Sequence, residues 1–147
     1  MPKRIITPMR GNSARSQDLT EGFDMHSFVL AVLIAGLLPV VCAGIAKWGA
    51  KGYNNHDPRA WLAHQEGRRA RAHAAQQNSF EAFPLFAVGV ALAWHGGADP
   101  DTLALWCWTF VALRLAYIGC YITDRASLRS VVWVLGVAVS VRLYLMA

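Results

Sequence analysis

Two ionisable residues lie inside stretches that otherwise read as membrane helices, Glu81 and Arg114. An unpaired charge at such depth costs several kcal/mol, so an intramembrane acid and base together are a functional-site hypothesis. Glu81 follows Arg71 by ten residues and Arg114 precedes Asp124 by ten. At about 1.5 Å per residue, both fall roughly 15 Å below the same membrane face, where they are expected to meet. The plain alternative is a structural lock that holds two helices together.

Polar residues gather around the pair. At 100° per residue, Arg71, Ala74, Asn78, Glu81 and Leu85 share one sector of a helix, with His73 and Gln77 one turn apart beside it. Pro84 follows at once and is expected to kink this helix. Cys107, Phe110, Arg114, Tyr117 and Tyr121 form a second stripe, and Arg129 and Ser130 open the next segment at the same boundary. Such a set suits a ligand that is zwitterionic at one end and meets a second substrate from the lipid. A fixed guanidinium beside a bound thiol favours the nucleophilic thiolate, and a serine or tyrosine hydroxyl can donate to its sulfur. Taken singly, Tyr117 and Tyr121 read as interfacial aromatics, Arg129 as a cytoplasmic anchor and His73 as a boundary residue; no second histidine has metal spacing.

These residues need helices to hold them. The 147 residues are 55% hydrophobic and 16% charged, a shift from soluble proteins toward a small integral membrane protein. Four segments are long enough to cross a bilayer: Ser27 to Ala46, about Arg71 to His95, about Thr102 to Ile122, and about Ala126 to Ala147. The reading is therefore all-α, an integral membrane four-helix bundle. Trp61 to Arg69 is expected to form a short interfacial helix, and Asp57-Pro58 a turn.

The net charge of +5 does not point to nucleic acid, because the basic residues flank helices. Lys47, Lys51, Arg59, Arg68, Arg69 and Arg71 border the first connection, and Arg125 and Arg129 the third, whereas the second carries Asp99 and Asp101. By the positive-inside rule the first and third connections are cytoplasmic and both termini lie outside. The basic residues of 1–24 oppose that orientation. Their segment is expected to be a disordered extension, either a lipid-interacting tail or untranslated sequence ahead of a start at Met25. Read as a signal peptide, the following apolar run is too long, so a retained anchor is preferred. Cys42, Cys107 and Cys120 lie in apolar segments without metal spacing and read as packing residues.

The strings RAHAAQQNSFEAFPLF, Arg71 to Phe86, and RLAYIGCY, Arg114 to Tyr121, resemble the MAPEG family, the membrane-associated proteins of eicosanoid and glutathione metabolism. The shared pattern is N-x-x-E-x-F-P-L-F followed about thirty residues later by R-x-x-Y-x-x-x-Y, within residues 26 to 147. The resemblance implies a homotrimer in the bacterial inner membrane, binding glutathione as co-substrate in clefts between subunits near the cytoplasmic face. Carried over by position, Asn78, Glu81, Arg114, Tyr117 and Tyr121 would contact glutathione, with Arg71 and Gln76 also at motif positions. The Leu128 to Ser130 string resembles the start of helix four in prostaglandin E synthase-type members, which makes Arg129 and Ser130 the expected thiol-activating pair.

Some positions depart from the family. Ala74 stands where many members have an arginine, Ala82 where a tyrosine is frequent, and Trp133 where the prostaglandin-type site has a tyrosine. The spacing from Tyr121 to Arg129 differs by about one residue from the family examples. The implied activity is a glutathione-dependent transferase or peroxidase on lipophilic electrophiles, with membrane lipid and a lipophilic small molecule as further partners. The alternatives are a non-catalytic binding or scaffold protein of the same fold, which Ala74 permits, and a redox or quinone-handling bundle using Cys107 and Cys120.

Overall fold

The computed structural model describes residues 12–147, with side chains from Ser27 onward. The expectation for residues 1–24 lies outside the residues whose side chains are described. Five helices follow in order: α1 Asn12–Lys47, α2 Pro58–Ala63, α3 Gly67–His95, α4 Pro100–Ile122 and α5 Ala126–Tyr144. Among the described residues there is no strand.

Ser27–Lys47 of α1, together with α4 and α5, are long and apolar enough to cross a membrane. The fourth expected span differs. Its helix α3 has 29 residues and so is about 44 Å long, but its first turns carry Arg68, Arg69 and Arg71, which keep it from reading as a simple apolar span. It is held by its neighbours: α1 and α5 each pack against both α3 and α4, and α3 packs against α4. The result is a four-helix bundle with α3 and α4 as the central pair. Both Pro39 and Pro84 lie within continuous helix.

The central contact is made by small residues. Ala72, Ala75, Ser79, Phe86, Gly89, Val90 and Ala93 form the buried face of α3, the composition that lets membrane helices approach closely without a hydrophobic drive from water. Phe86 fills the middle, its ring stacked on Phe110 of α4 at 3.9 Å. Gly89 marks the tightest approach to α5, since a Cβ there would lie 3.0 Å from the Tyr144 ring and 3.1 Å from the Leu143 Cβ. Gly89→Val should therefore destabilise the bundle by about 1–3 kcal/mol through overpacking, read as a fall in unfolding temperature in detergent. Gly44→Val, where nothing lies within 4 Å of the added atom, should leave it unchanged.

The connections bring two ends of the bundle into register. At one end, Trp108 Nε1 donates to Ser27 Oγ at 3.0 Å, Phe28 packs on Trp94, and the Arg142 guanidinium lies 5.7 Å from the Trp106 ring centre. At the other end, Arg71 near the start of α3 meets the turn between α4 and α5. Here α2 begins earlier than expected and stops at Ala63. Asp57 accepts from the Ala60 N–H at 3.1 Å and Pro58 occupies the first helical turn, so this Asp-Pro pair starts a helix where a turn was expected.

Asp99 does the same for α4, accepting from the Thr102 N–H at 2.9 Å and the Thr102 hydroxyl at 2.7 Å. Those bonds hold its carboxyl below the ordinary carboxylate pKa. A depressed folded-state pKa contributes stability above the unfolded value and loses it as pH falls through the folded one. The stability difference between wild type and Asp99→Ala should thus shrink below about pH 4, checked by thermal unfolding across that range.

Candidate functional site

Arg114 is 4% exposed, at mid-depth in α4 and against α3. Both of its Nη groups donate to Asn78 Oδ1, at 3.1 and 3.2 Å, and Nη2 also donates to Ser79 Oγ at 3.0 Å. The expected meeting with Glu81 is not made directly. Asn78 stands between them, its Nδ2 donating to Glu81 Oε2 at 3.3 Å, while Glu81 itself is exposed. The reason is helical phase. Ser79 belongs to the buried stripe, and two residues further on a side chain has turned about 200°, onto the opposite side of α3.

Glu81→Gln should accordingly change stability by less than about 1 kcal/mol, measured by thermal unfolding, since this carboxylate reaches the guanidinium only through an amide. Ser79 was not singled out in the sequence. It could have been found by following the small residues Ala72, Ala75, Ser79 and Ala82 at spacings of three and four.

From Arg114 a ladder of cations and rings runs along α4 toward the start of α5. The Arg114 guanidinium lies 4.3 Å from the Tyr117 ring centre, Tyr117 meets Tyr121 edge to face at 5.2 Å, and the Arg129 guanidinium lies 4.4 Å from the Tyr121 ring. Guanidinium over a ring face is attracted by the ring quadrupole, so each step fixes the next. Tyr117, Tyr121, Arg129, Ser130, Trp133 and Val134 line an open cleft of about 410 Å³. Ser130 is exposed, its hydroxyl 3.3 Å from the Ala126 carbonyl one turn back. Trp133, which stands where the prostaglandin-type site has a tyrosine, is one wall of this cleft.

Arg71 ties the same end of the bundle together. Its Nη1 is 3.6 Å from Asp124 Oδ2 and its Nη2 donates to the Ile122 carbonyl at 3.4 Å, so α3 grips the turn that launches α5. Asp124 adopts φ 62°, a left-handed conformation that ends α4 as Arg125 N–H returns to the Cys120 carbonyl at 2.9 Å. Gln76 accepts or donates at 3.3 Å with the His73 ring and does not reach the ladder. Cys42, Cys107 and Cys120 are free and buried.

Arg71 to Asp124 is the one ion pair among the described residues. Arg114 is therefore a buried cation whose described partners are an amide, a hydroxyl and a phenol ring, with no carboxylate at ion-pair distance.

A small helical membrane protein with a cationic, tyrosine-lined polar site in one half of its bundle is the class these features define. The MAPEG family model matches residues 27–147, most of the chain, and the protein belongs to the MAPEG family. No curated protein and no solved structure matches it.

Proposed function

We propose that this protein is a glutathione-dependent transferase or peroxidase acting on lipophilic electrophiles. The observation that carries the reading is the buried Arg114 without a carboxylate partner, joined through Tyr117 and Tyr121 to Arg129 at an open cleft. A desolvated cation is costly until an anion joins it. Glutathione offers two carboxylates, an ammonium and a thiol, which match the arginines, the exposed Glu81 and the Arg129 to Ser130 corner.

In this reading Asn78, Glu81, Arg114, Tyr117 and Tyr121 hold the tripeptide, with Arg71 and Gln76 bordering it. Arg129 stabilises the thiolate, whose proton leaves to water at the cleft mouth. The Ser130 hydroxyl turns from the Ala126 carbonyl to donate to sulfur. The sulfur lone pair then forms a carbon–sulfur bond while the leaving group departs with its bonding electrons. On a hydroperoxide, sulfur instead takes the terminal oxygen, the alkoxide leaves as alcohol after protonation, and a second glutathione converts the sulfenic acid to disulfide and water. Exposed apolar positions on α5 such as Val131 and Val134 give a lipid-side entry for the electrophile.

A homotrimer belongs to the proposal. Gln77 and Glu81 are exposed on a bundle helix, and polar side chains at that depth call for protein or a ligand to cover them. A neighbouring copy would close the glutathione cleft. By the positive-inside rule, the basic first and third connections support a cytoplasmic position for the site, and the reading sets the protein in a bacterial inner membrane. The testing experiment is glutathione conjugation to an aryl halide by detergent-solubilised protein, with mass measured by sedimentation. Saturable turnover by a trimer supports the reading. No turnover together with no glutathione binding at millimolar concentration would favour a scaffold of the same fold, in line with Ala74.

A further inference from the structure

A second, larger cleft lies away from the ladder, where α1 ends and α3 begins. It encloses about 720 Å³. One wall is apolar, made by Val41, Gly44 and Ile45 on a single face of α1. These positions recur at three and four residues, so they form one apolar face about 6 Å long near the end of the membrane-spanning part. Gly44 leaves it open, with nothing within 4 Å of where a Cβ would stand.

The mouth of the cleft has a different chemistry. Arg68 and Arg69, in the first turn of α3, line it with Glu66, which precedes that helix. Arg69 donates from Nη2 to the Gly49 carbonyl at 3.2 Å, which fixes its side chain over the connection. Its Nε, like that of Arg71, has no hydrogen-bond partner among the described residues. Trp48 completes the mouth at 85% exposure, one residue beyond the membrane-spanning part of α1. That is the headgroup level, where amphipathic indoles settle.

An apolar face that meets two arginines at headgroup level matches one occupant. We propose that this cleft binds an anionic phospholipid, with the phosphodiester on Arg68 and Arg69 and one acyl chain along Val41, Gly44 and Ile45. Basic pockets between membrane helices suit such headgroups. The two guanidinium charges exceed the single carboxylate of Glu66 by one, which complements a headgroup of net charge −1 and not a zwitterion. Glu66 is then free to accept from headgroup hydroxyls. The site is separate from the ladder residues and needs no catalysis.

Native mass spectrometry of the purified full-length protein in nonionic detergent tests the proposal, with palmitoyl-oleoyl phosphatidylglycerol, phosphatidylethanolamine and phosphatidylcholine added separately. Phosphatidylglycerol should saturate at one per chain and bind about tenfold or more tightly than the other two, as two arginines at the membrane surface provide. Arg68→Gln and Arg69→Gln should each weaken it. Gly44→Leu should also weaken it, by filling the cleft without touching a charge. Arg68 and Gly44 make no described side-chain contact that folding needs, so these two variants decide the matter if Arg69→Gln fails to fold. Equal retention of the three lipids would overturn the proposal, as would phosphatidylglycerol binding unaffected by Arg68→Gln and Gly44→Leu. Displacement of the lipid by equimolar glycerol 3-phosphate would also overturn it, because the site would then be one for soluble phosphate.

Discussion

Arg129→Ala should lower glutathione-conjugating turnover by about 100-fold or more while leaving the KM for glutathione within about threefold, the pattern of a lost charge that acts on the reacting sulfur. Arg129 stands at the end of the ladder, over the Tyr121 ring and on the wall of the open cleft. In the proposed reading its charge bears on the thiol and little on the rest of the tripeptide. Arg129→Lys keeps the charge but loses the planar stacking, so partial recovery is expected. A general packing defect would move Arg129→Ala and Arg129→Lys alike. A KM rise with unchanged kcat would instead make Arg129 a plain binding group.

Asn78→Leu should be the most damaging single change to the bundle among the polar positions, at about 3 kcal/mol, read by thermal unfolding in detergent. Asn78 is the acceptor for both Nη groups of a guanidinium that is 4% exposed. Its replacement leaves that charge with the Ser79 hydroxyl and the Tyr117 ring. Ser79→Ala, which removes one of the three bonds, should cost roughly half as much. A glutathione analogue should recover part of the Asn78→Leu loss if the ligand's carboxylate reaches Arg114, since binding to the folded state alone stabilises it. Equal stability of Asn78→Leu and wild type would mean that Arg114 does not depend on the amide.

Much of this arrangement was legible in the sequence, for identifiable reasons. A charge amid apolar residues stands out, so Arg114 was visible, and the 3.6-residue period placed Cys107, Phe110, Arg114 and Tyr117 on what proves to be one buried face of α4. The limits of the four bundle helices were marked by Gly, Asp-Pro and basic residues. The partner of Arg114 was harder. Charge complementarity favoured Glu81, but close packing of small side chains sets the rotation of α3, and that turns Ser79 inward and Glu81 outward. Asp57-Pro58 was misleading because the same dipeptide serves as a turn or as a helix start, and only the following residues in their tertiary setting decide. The ladder from Tyr121 to Arg129 crosses a helix connection, where spacing along the chain does not determine distance. The large cleft at the end of α1 was out of reach for the same reason, since its two walls lie more than twenty residues apart.

The central claim is that glutathione is held here as a thiolate. The most direct measurement is ultraviolet thiolate absorbance during titration of the detergent-solubilised protein with glutathione, in wild type and in Arg129→Ala. A saturable thiolate signal in wild type, absent in Arg129→Ala although glutathione still binds, is the predicted result. Glutathione bound to wild type with no thiolate signal, or a signal equal in both proteins, would contradict it.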